Sequence, residues 1–453
     1  MLERQAYQDL LEWKTTVQGR RALLIEGARR VGKSTLATHF GRSEYRSVMV
    51  IDFFTATEEI KGYFRDYATK LDTLFMYLQA ATGITLYERE SLIIFDEVQA
   101  FPFARGLIKY LVADGRYDYI ETGSLLSIRE NVKDIVIPSE EQSYQLNPLT
   151  YTEFLWALGE KPLAELIETS FCELTPLPDG LHRTALRYFN EYLLIGGMPQ
   201  AVEEYVTSHN LAEVDEIKRS ILATYREDTG KYAGAVRARV VTLFDEIPGA
   251  LSKGEKKITL TTLDPHARMR SWEDAFFWLS DARIANLCFA STDPHVGLGL
   301  NRETGAVKVY MADTGLLVTQ AFSEGGAAIS SVYRAVLAGD ISLNKGMLTE
   351  NAVAQMLVSS GHQLYYYSTY SRDNPQERME IDFLITAGYD GAAGKPRVSP
   401  IEVKSTSRYR LSSLTKFTME FSGRVGRRYV VHPKQLVVEG DLVYVPLYMG
   451  ELL

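Results

Sequence analysis

Short, wholly apolar runs and longer helical periodicities alternate through the first third of the chain. MLERQAYQDLLEWK, at the start, sets apolar residues on one helical face and charges on the other, which predicts an amphipathic helix and not a signal sequence. ALLIEG (22–27) is apolar throughout, as expected of a strand covered on both sides in a parallel sheet, and STLATHF continues from it as a helix. SLIIFDEVQ (91–99) and YDYIETGS (117–124) read as further strands of the same kind. Together these segments predict an α/β fold with a doubly wound parallel sheet.

Beyond QLNPLTYTEFLWALGE (145–160) the pattern becomes mainly helical, with LRYFNEYLLIGGMPQAVEEY (186–205) interrupted at Gly196, Gly197 and Pro199. A helix around 236–251, the β-prone KKITLTTL (256–263), the amphipathic SWEDAFFWLSDARIANL (271–287) and a hairpin-like segment (289–317) follow in the order of a winged helix-turn-helix. Its recognition helix carries Glu273, Asp274 and Asp281 against one arginine, Arg283, which favours a spacer or oligomer contact over DNA binding. A second α/β pattern closes the chain: helix 346–361, strand RMEIDFLIT (378–386), a glycine-rich connection, strand SPIEVKST (399–406) and helix 413–421. The expected division is a P-loop domain over 1–160, a helical lid over 161–235, a winged-helix-like domain over 236–335 and an α/β domain over 340–453.

At 453 residues, 46% hydrophobic and 24% charged, the chain has the composition of a globular protein of several domains. No apolar run approaches a bilayer's thickness, so a cytoplasmic protein without membrane contact is expected. Cys172 and Cys288 stand far apart with no partner motif, which suggests neither a disulfide framework nor a zinc site. A net charge of −9 argues against a protein that simply coats nucleic acid. Residues 345–453 nevertheless hold 13 basic and 11 acidic side chains, with Arg408, Arg410, Lys416, Arg424, Arg427 and Arg428 clustered, either as a solvated face or as a nucleic-acid contact.

Chemistry enters first at GARRVGKS (27–34), which fits the G-x-x-x-x-G-K-[ST] phosphate loop between a strand and a helix. Gly27 and Gly32 let the backbone of Ala28, Arg29, Arg30 and Val31 curl so that N–H groups face phosphate oxygens, with Thr35 in the following helical turn. Lys33 is placed for the β- and γ-phosphates of ATP, and the Ser34 hydroxyl for Mg2+. Asp96, at the end of an apolar strand, is the second Mg2+ residue, and Glu97 is the group expected to polarise the attacking water. Thr122 or Ser124 is the expected γ-phosphate sensor, and Arg105 or Arg129 the arginine acting in trans between copies of a homo-oligomer.

In the closing strands Glu402 and Lys404 share one face of SPIEVKST, while Ile381, Phe383 and Ile385 leave Asp382 on the opposite face of its own strand. Pairing the two strands, after a helix bearing Glu350, matches the helical acid, strand aspartate and Glu-x-Lys of a PD-(D/E)xK nuclease core. There, Asp382 and Glu402 would hold a divalent metal, and Glu350 and Lys404 would complete the catalytic group. The competing reading is a fold kept without cleavage, its acids retained for ion pairing.

GARRVGKST, LIIFDEVQ, ETGSLLS, PLTYTEFL, IGGMPQAV, KVYMADTGLL, LTENAVAQML, EIDFLI and IEVKS occur in an order similar to that of the prokaryotic AAA-type ATPases that carry a C-terminal restriction-endonuclease-like domain of unknown function. The resemblance spans nearly the whole chain. It implies nucleotide contacts at Gly27, Gly32, Lys33, Ser34, Asp96 and Glu97, and a nuclease-like site at Glu350, Asp382, Glu402 and Lys404. The family's frequent Gly-Arg pair before Pro-Leu is absent from IPSEEQSYQLNPL. The function expected is therefore an ATPase coupled to a metal-dependent nuclease-like domain acting on nucleic acid. The alternative is a nucleotide-operated switch or scaffold whose C-terminal domain binds nucleic acid or protein without cutting.

Overall fold

A computed structural model describes residues 1–123, 139–253, 258, 269–322, 331, 333, 335–337, 345–369, 378–387 and 397–453. Ser124, Arg129, most of the β-prone stretch 256–263 and the glycine-rich connection before strand 397–403 lie outside the described residues. The chain divides into two compact units, residues 1–147 with 281–283, and residues 148–280 with 284–453.

The first unit is built on five parallel strands: β1 (Ala22–Glu26), β2 (Ser47–Asp52), β3 (Ser91–Asp96), β4 (Asp118–Gly123) and β5 (Glu141–Gln145), in the order β2-β3-β4-β1-β5. Alternation splits the side chains between two helical layers. Leu23, Ile25, Leu92, Ile94 and Ile120 meet α1 (Ala6–Val17) and α2 (Lys33–Glu44) through Leu10, Trp13, Leu36 and Phe40. Leu24, Met49, Ile51, Ile93 and Phe95 meet α3 (Glu58–Asp66), α4 (Leu71–Thr82) and α5 (Pro102–Asp114) through Phe64, Leu74, Ile108 and Leu111. Both faces are covered, which is why these strands read as continuous apolar runs.

The second unit begins with six helices: α6 (Tyr151–Ala157), α7 (Lys161–Cys172), α8 (Asp179–Ile195), α9 (Pro199–Ser208), α10 (Leu211–Tyr232) and α11 (Arg237–Ser252). Helix α12 (Met269–Asp281) leads to β6 (Ala285–Ser291) and β7 (Arg302–Met311). After these come α13 (Thr314–Ala321), α14 (Lys345–Ser359), β8 (Leu364–Thr369), β9 (Met379–Ala387), β10 (Arg397–Val403), α15 (Ser412–Glu420), β11 (Arg428–His432), β12 (Val437–Glu439) and β13 (Leu442–Pro446).

The hairpin expected as a wing is not one. β6 pairs antiparallel with β7 and parallel with β8, so the hairpin forms one end of an eight-stranded sheet ordered β12-β13-β11-β10-β9-β8-β6-β7. Cys288, Val309, Tyr310 and Met311 are all buried, a degree of cover that a small surface wing does not provide. TGLL, read as the hairpin's end, is the first turn of α13. The helices from residue 148 onward and this sheet belong to one compact unit.

Two motifs are explained by packing. Asp313 caps α13 by accepting from the Leu316 amide at 2.9 Å, and it also accepts from the Gly197 amide at 2.6 Å. A Cβ on Gly196, whose φ is +79°, would lie 2.3 Å from that carboxylate, and one on Gly197 would lie 2.2 Å from the Leu149 carbonyl oxygen. Buried Lys218 then donates to the Leu194 carbonyl at 2.6 Å and to the Tyr333 hydroxyl at 2.7 Å. On α14, Asn351 brackets the Met311 backbone at 2.8 and 3.1 Å, and Gln355 accepts from the Thr314 amide at 2.8 Å.

Both Gly196→Ala and Asp313→Ala are expected to destabilise the second unit by about 2–4 kcal/mol, the first by clash and positive φ, the second by orphaning two buried amides. Urea denaturation checks this; midpoints unchanged from the parent protein contradict it.

Candidate nucleotide site and carboxylate cluster

The phosphate loop links the C-terminal end of β1 to α2. Gly32 has φ +98° and Arg30 φ +65°, so the loop curls through the left-handed region twice. A Cβ on Gly27 would stand 2.3 Å from the Leu146 carbonyl oxygen, a cradle that admits only glycine. Ala28 and Val31 are buried beneath the loop, whereas the Arg29, Arg30 and Thr35 side chains are exposed. Lys33 is buried and donates to the Gly27 and Ala28 carbonyls at 3.1 and 3.0 Å, which folds its ammonium back over the loop where phosphate would replace those carbonyls.

Asp96 is the hub. Its Oδ1 accepts from Ser34 Oγ at 2.6 Å and also from the Thr122 hydroxyl. Thr122 Oγ1 in turn accepts from the Glu97 amide at 3.3 Å. Glu97 has φ +50°, an unfavourable conformation for a side chain of its size, and Gln99 Nε2 donates to its carboxylate. A hydroxyl and a carboxylate oxygen side by side at the mouth of a phosphate loop are a donor set suited to Mg2+, which prefers oxygen and retains several waters. Gln99 had not been singled out in the sequence; its position two residues after the glutamate is the only local signal.

Arg105 is not free to act in trans. It is 4% exposed and forks onto Glu141 at 3.0 and 2.7 Å. Burial, and after it the adjacent Glu141, push the Glu121 carboxyl well above its ordinary range. The pair holds α5 to the sheet and presents nothing to a neighbour.

In the second unit β9 and β10 pair antiparallel, as their sequences suggest, with Ile401 opposite Phe383. The expected alternation on β9 breaks at Asp382. Tyr365 and Tyr367 of β8 face Leu384 and Ile381, so the one residue between them opposes two on β9, Asp382 and Phe383, and Ile381 and Leu384 end in the same core with Leu414 and Phe417 of α15. At this bulge Asp382 Oδ2 accepts from the Val403 amide at 2.8 Å. Glu402 is 2% exposed and is paired with Lys404.

Glu350 is buried on α14. It accepts from the Tyr310 hydroxyl at 2.6 Å and lies 3.8 Å from Lys308 Nζ, which is 2.7 Å from Glu380. Among the described residues no group of three or more Asp, Glu, His or Cys side chains converges as metal ligands, and Glu402 Oε1 is buried without a hydrogen-bond partner. Lys308, Tyr310 and Glu380 were missed as site residues. Their signal was a lysine and a tyrosine at alternate positions in the otherwise apolar VKVYM.

A family described as an AAA domain matches residues 19–155. Two families described only as domains of unknown function, DUF8612 and DUF4143, match residues 186–324 and 345–449. No curated protein matches the chain. Among solved structures, a Walker-type ATPase of Pyrococcus abyssi is similar at 16% identity over 71% of this chain and 96% of that one, with a TM-score of 0.41. A STAND-type signal transduction ATPase with a tetratricopeptide repeat sensor, from Pyrococcus horikoshii, aligns at 11% identity over 78% and 48% of the two chains with a TM-score of 0.25. PCH-2 of C. elegans aligns at 11% over 37% and 46%, with a TM-score of 0.21. The strand order and the phosphate-loop geometry agree with the match of residues 19–155 to an AAA domain family.

Proposed function

We propose that this chain binds and hydrolyses ATP at the phosphate loop and that its second unit holds a single-stranded nucleic acid without cutting it. The observation that carries the first half is the hydroxyl–carboxylate hub, in which Ser34 and Thr122 meet on one oxygen of Asp96. In this reading the curled backbone of residues 27–32 and the Lys33 ammonium hold the phosphates. Ser34 and Asp96 would hold Mg2+, which when bound would supply charge neutralisation for the phosphates. Glu97 orients and takes a proton from the attacking water, and Thr122 connects the hub to the Glu97 backbone, so occupancy of one is felt by the other. Self-association belongs to the proposal, with a trans-acting arginine other than Arg105.

For the second half, Arg408, Arg410, Arg427, Arg428 and Lys434 have no carboxylate within ion-pair distance among the described residues. An open cleft of about 560 Å³ lined by Arg408, Tyr409, His432, Lys434 and Tyr444 lies among them. Burial pushes His432 down to about 4, so it is neutral and joins Tyr409 in a hydrogen bond at 2.6 Å. Cations beside tyrosine rings suit phosphates and unstacked bases. Binding is the reading that this open cationic cleft supports.

Lys33→Ala is expected to abolish nucleotide binding by calorimetry, while Glu97→Gln retains binding and loses about 10²-fold or more in turnover. Equal turnover by wild type and Glu97→Gln removes Glu97 from its role.

Replacing Arg408 and Lys434 by Glu should weaken single-stranded DNA binding at least tenfold in fluorescence anisotropy and lower the salt slope by roughly 1–2. No binding by wild type at low salt, or unaltered binding by the variant, contradicts the nucleic-acid half and leaves the ATPase half standing.

A further inference from the structure

We propose that the cleft holding Arg408 and Lys434 selects guanine among the unstacked bases of a single strand, with Glu439 as the residue that reads the base. This deepens the nucleic-acid half of the proposed function and rests on it.

A carboxylate is out of place in a cleft that only gathers phosphates, because it repels them. Glu439 nevertheless lines this cleft together with Arg408, Tyr409, His432, Lys434 and Tyr444. It stands on β12, the edge strand of the sheet, and its Oε2 accepts from the hydroxyl of Tyr444, its diagonal neighbour on β13, at 3.3 Å. Among the described residues no lysine or arginine lies within ion-pair distance of it. Each carboxylate oxygen accepts twice, so Glu439 keeps acceptor capacity for a ligand that donates.

The wall beside it is aromatic and fixed. His432 Nε2 donates to the Gln435 carbonyl at 3.1 Å, which leaves Nδ1 to accept from the Tyr409 hydroxyl at 2.6 Å. The His432 ring lies 5.9 Å from that of Tyr409 and 5.5 Å from that of Tyr444, centre to centre. Rings held in this way offer a face on which a base stacks without ordering them first. Lys434 Nζ, 5.8 Å from the centre of the Tyr409 ring, supplies a cation for the adjoining phosphate.

Hydrogen-bond chemistry then chooses the base. Guanine presents two neighbouring donors, N1–H and N2–H2, which match the fork of a carboxylate. Adenine and cytosine set a lone pair beside their one amino group, and thymine sets its N–H between two carbonyls. Each of these would aim an acceptor at Glu439 and lose a contact.

Fluorescence anisotropy on the full chain tests this with a short oligothymidylate and with the same strand carrying one central guanine, adenine or cytosine. The guanine strand is expected to bind about tenfold or more tightly than the other three. Glu439→Gln, at an exposed position, should cut that preference to about twofold or less, because it replaces one acceptor by a donor. Competition separates a guanine within a strand from a lone guanine nucleotide: the unlabelled guanine strand should displace the probe at lower concentration than free GMP. Equal affinity for all four strands, a preference that Glu439→Gln leaves intact, or stronger competition by GMP than by the strand overturns the proposal. Tight but unselective binding leaves the nucleic-acid reading standing, whereas no binding of any strand at low salt removes both.

Discussion

A charge taken out of water must find donors or a counter-charge inside the protein, and this requirement governs which charged residues of the chain remain available for chemistry. Arg105 is occupied by Glu141, Lys218 by backbone carbonyls and a tyrosine, and Lys308 by Glu380 and Glu350. Each is buried, so breaking any one of these sets would leave an uncompensated charge, at a cost of about 3–5 kcal/mol. These residues secure the framework. Those on the phosphate loop stand apart because their interactions are provisional: Lys33 rests on two carbonyls that a phosphate would outcompete.

Conformational strain follows the same division. In the first unit the left-handed residues Arg30, Gly32 and Glu97 lie at the ends of β1 and β3, where a ligand would sit. In the second, the positive φ at Gly196 serves the Asp313 cap, and the bulge at Asp382 hands a backbone amide to a carboxylate. At the phosphate loop the positive φ angles position groups for a substrate, whereas at Gly196 the positive φ serves a hydrogen bond within the fold.

Much of this was legible in the primary structure. GARRVGKS, LIIFDEVQ and YIETG reveal strand, loop and helix because parallel strands covered on both faces need continuous apolar runs, and phosphate loops need glycine at fixed spacing. The β9–β10 pairing was visible for a similar reason, since the alternating patterns of EIDFLI and PIEV mark two adjacent strands. Tertiary structure alone decided the rest. A local pattern reports which faces are apolar but not which strands become neighbours, so the hairpin-like segment 289–317 reads as a wing although β6 lies beside β8. Charge is equally silent about its partner: Arg105 and Lys308 are ordinary basic residues until the fold places Glu141 and Glu380 against them. Ion pairs joining residues 36 and 72 positions apart depend on the packing of whole layers, and no short stretch of sequence contains that information.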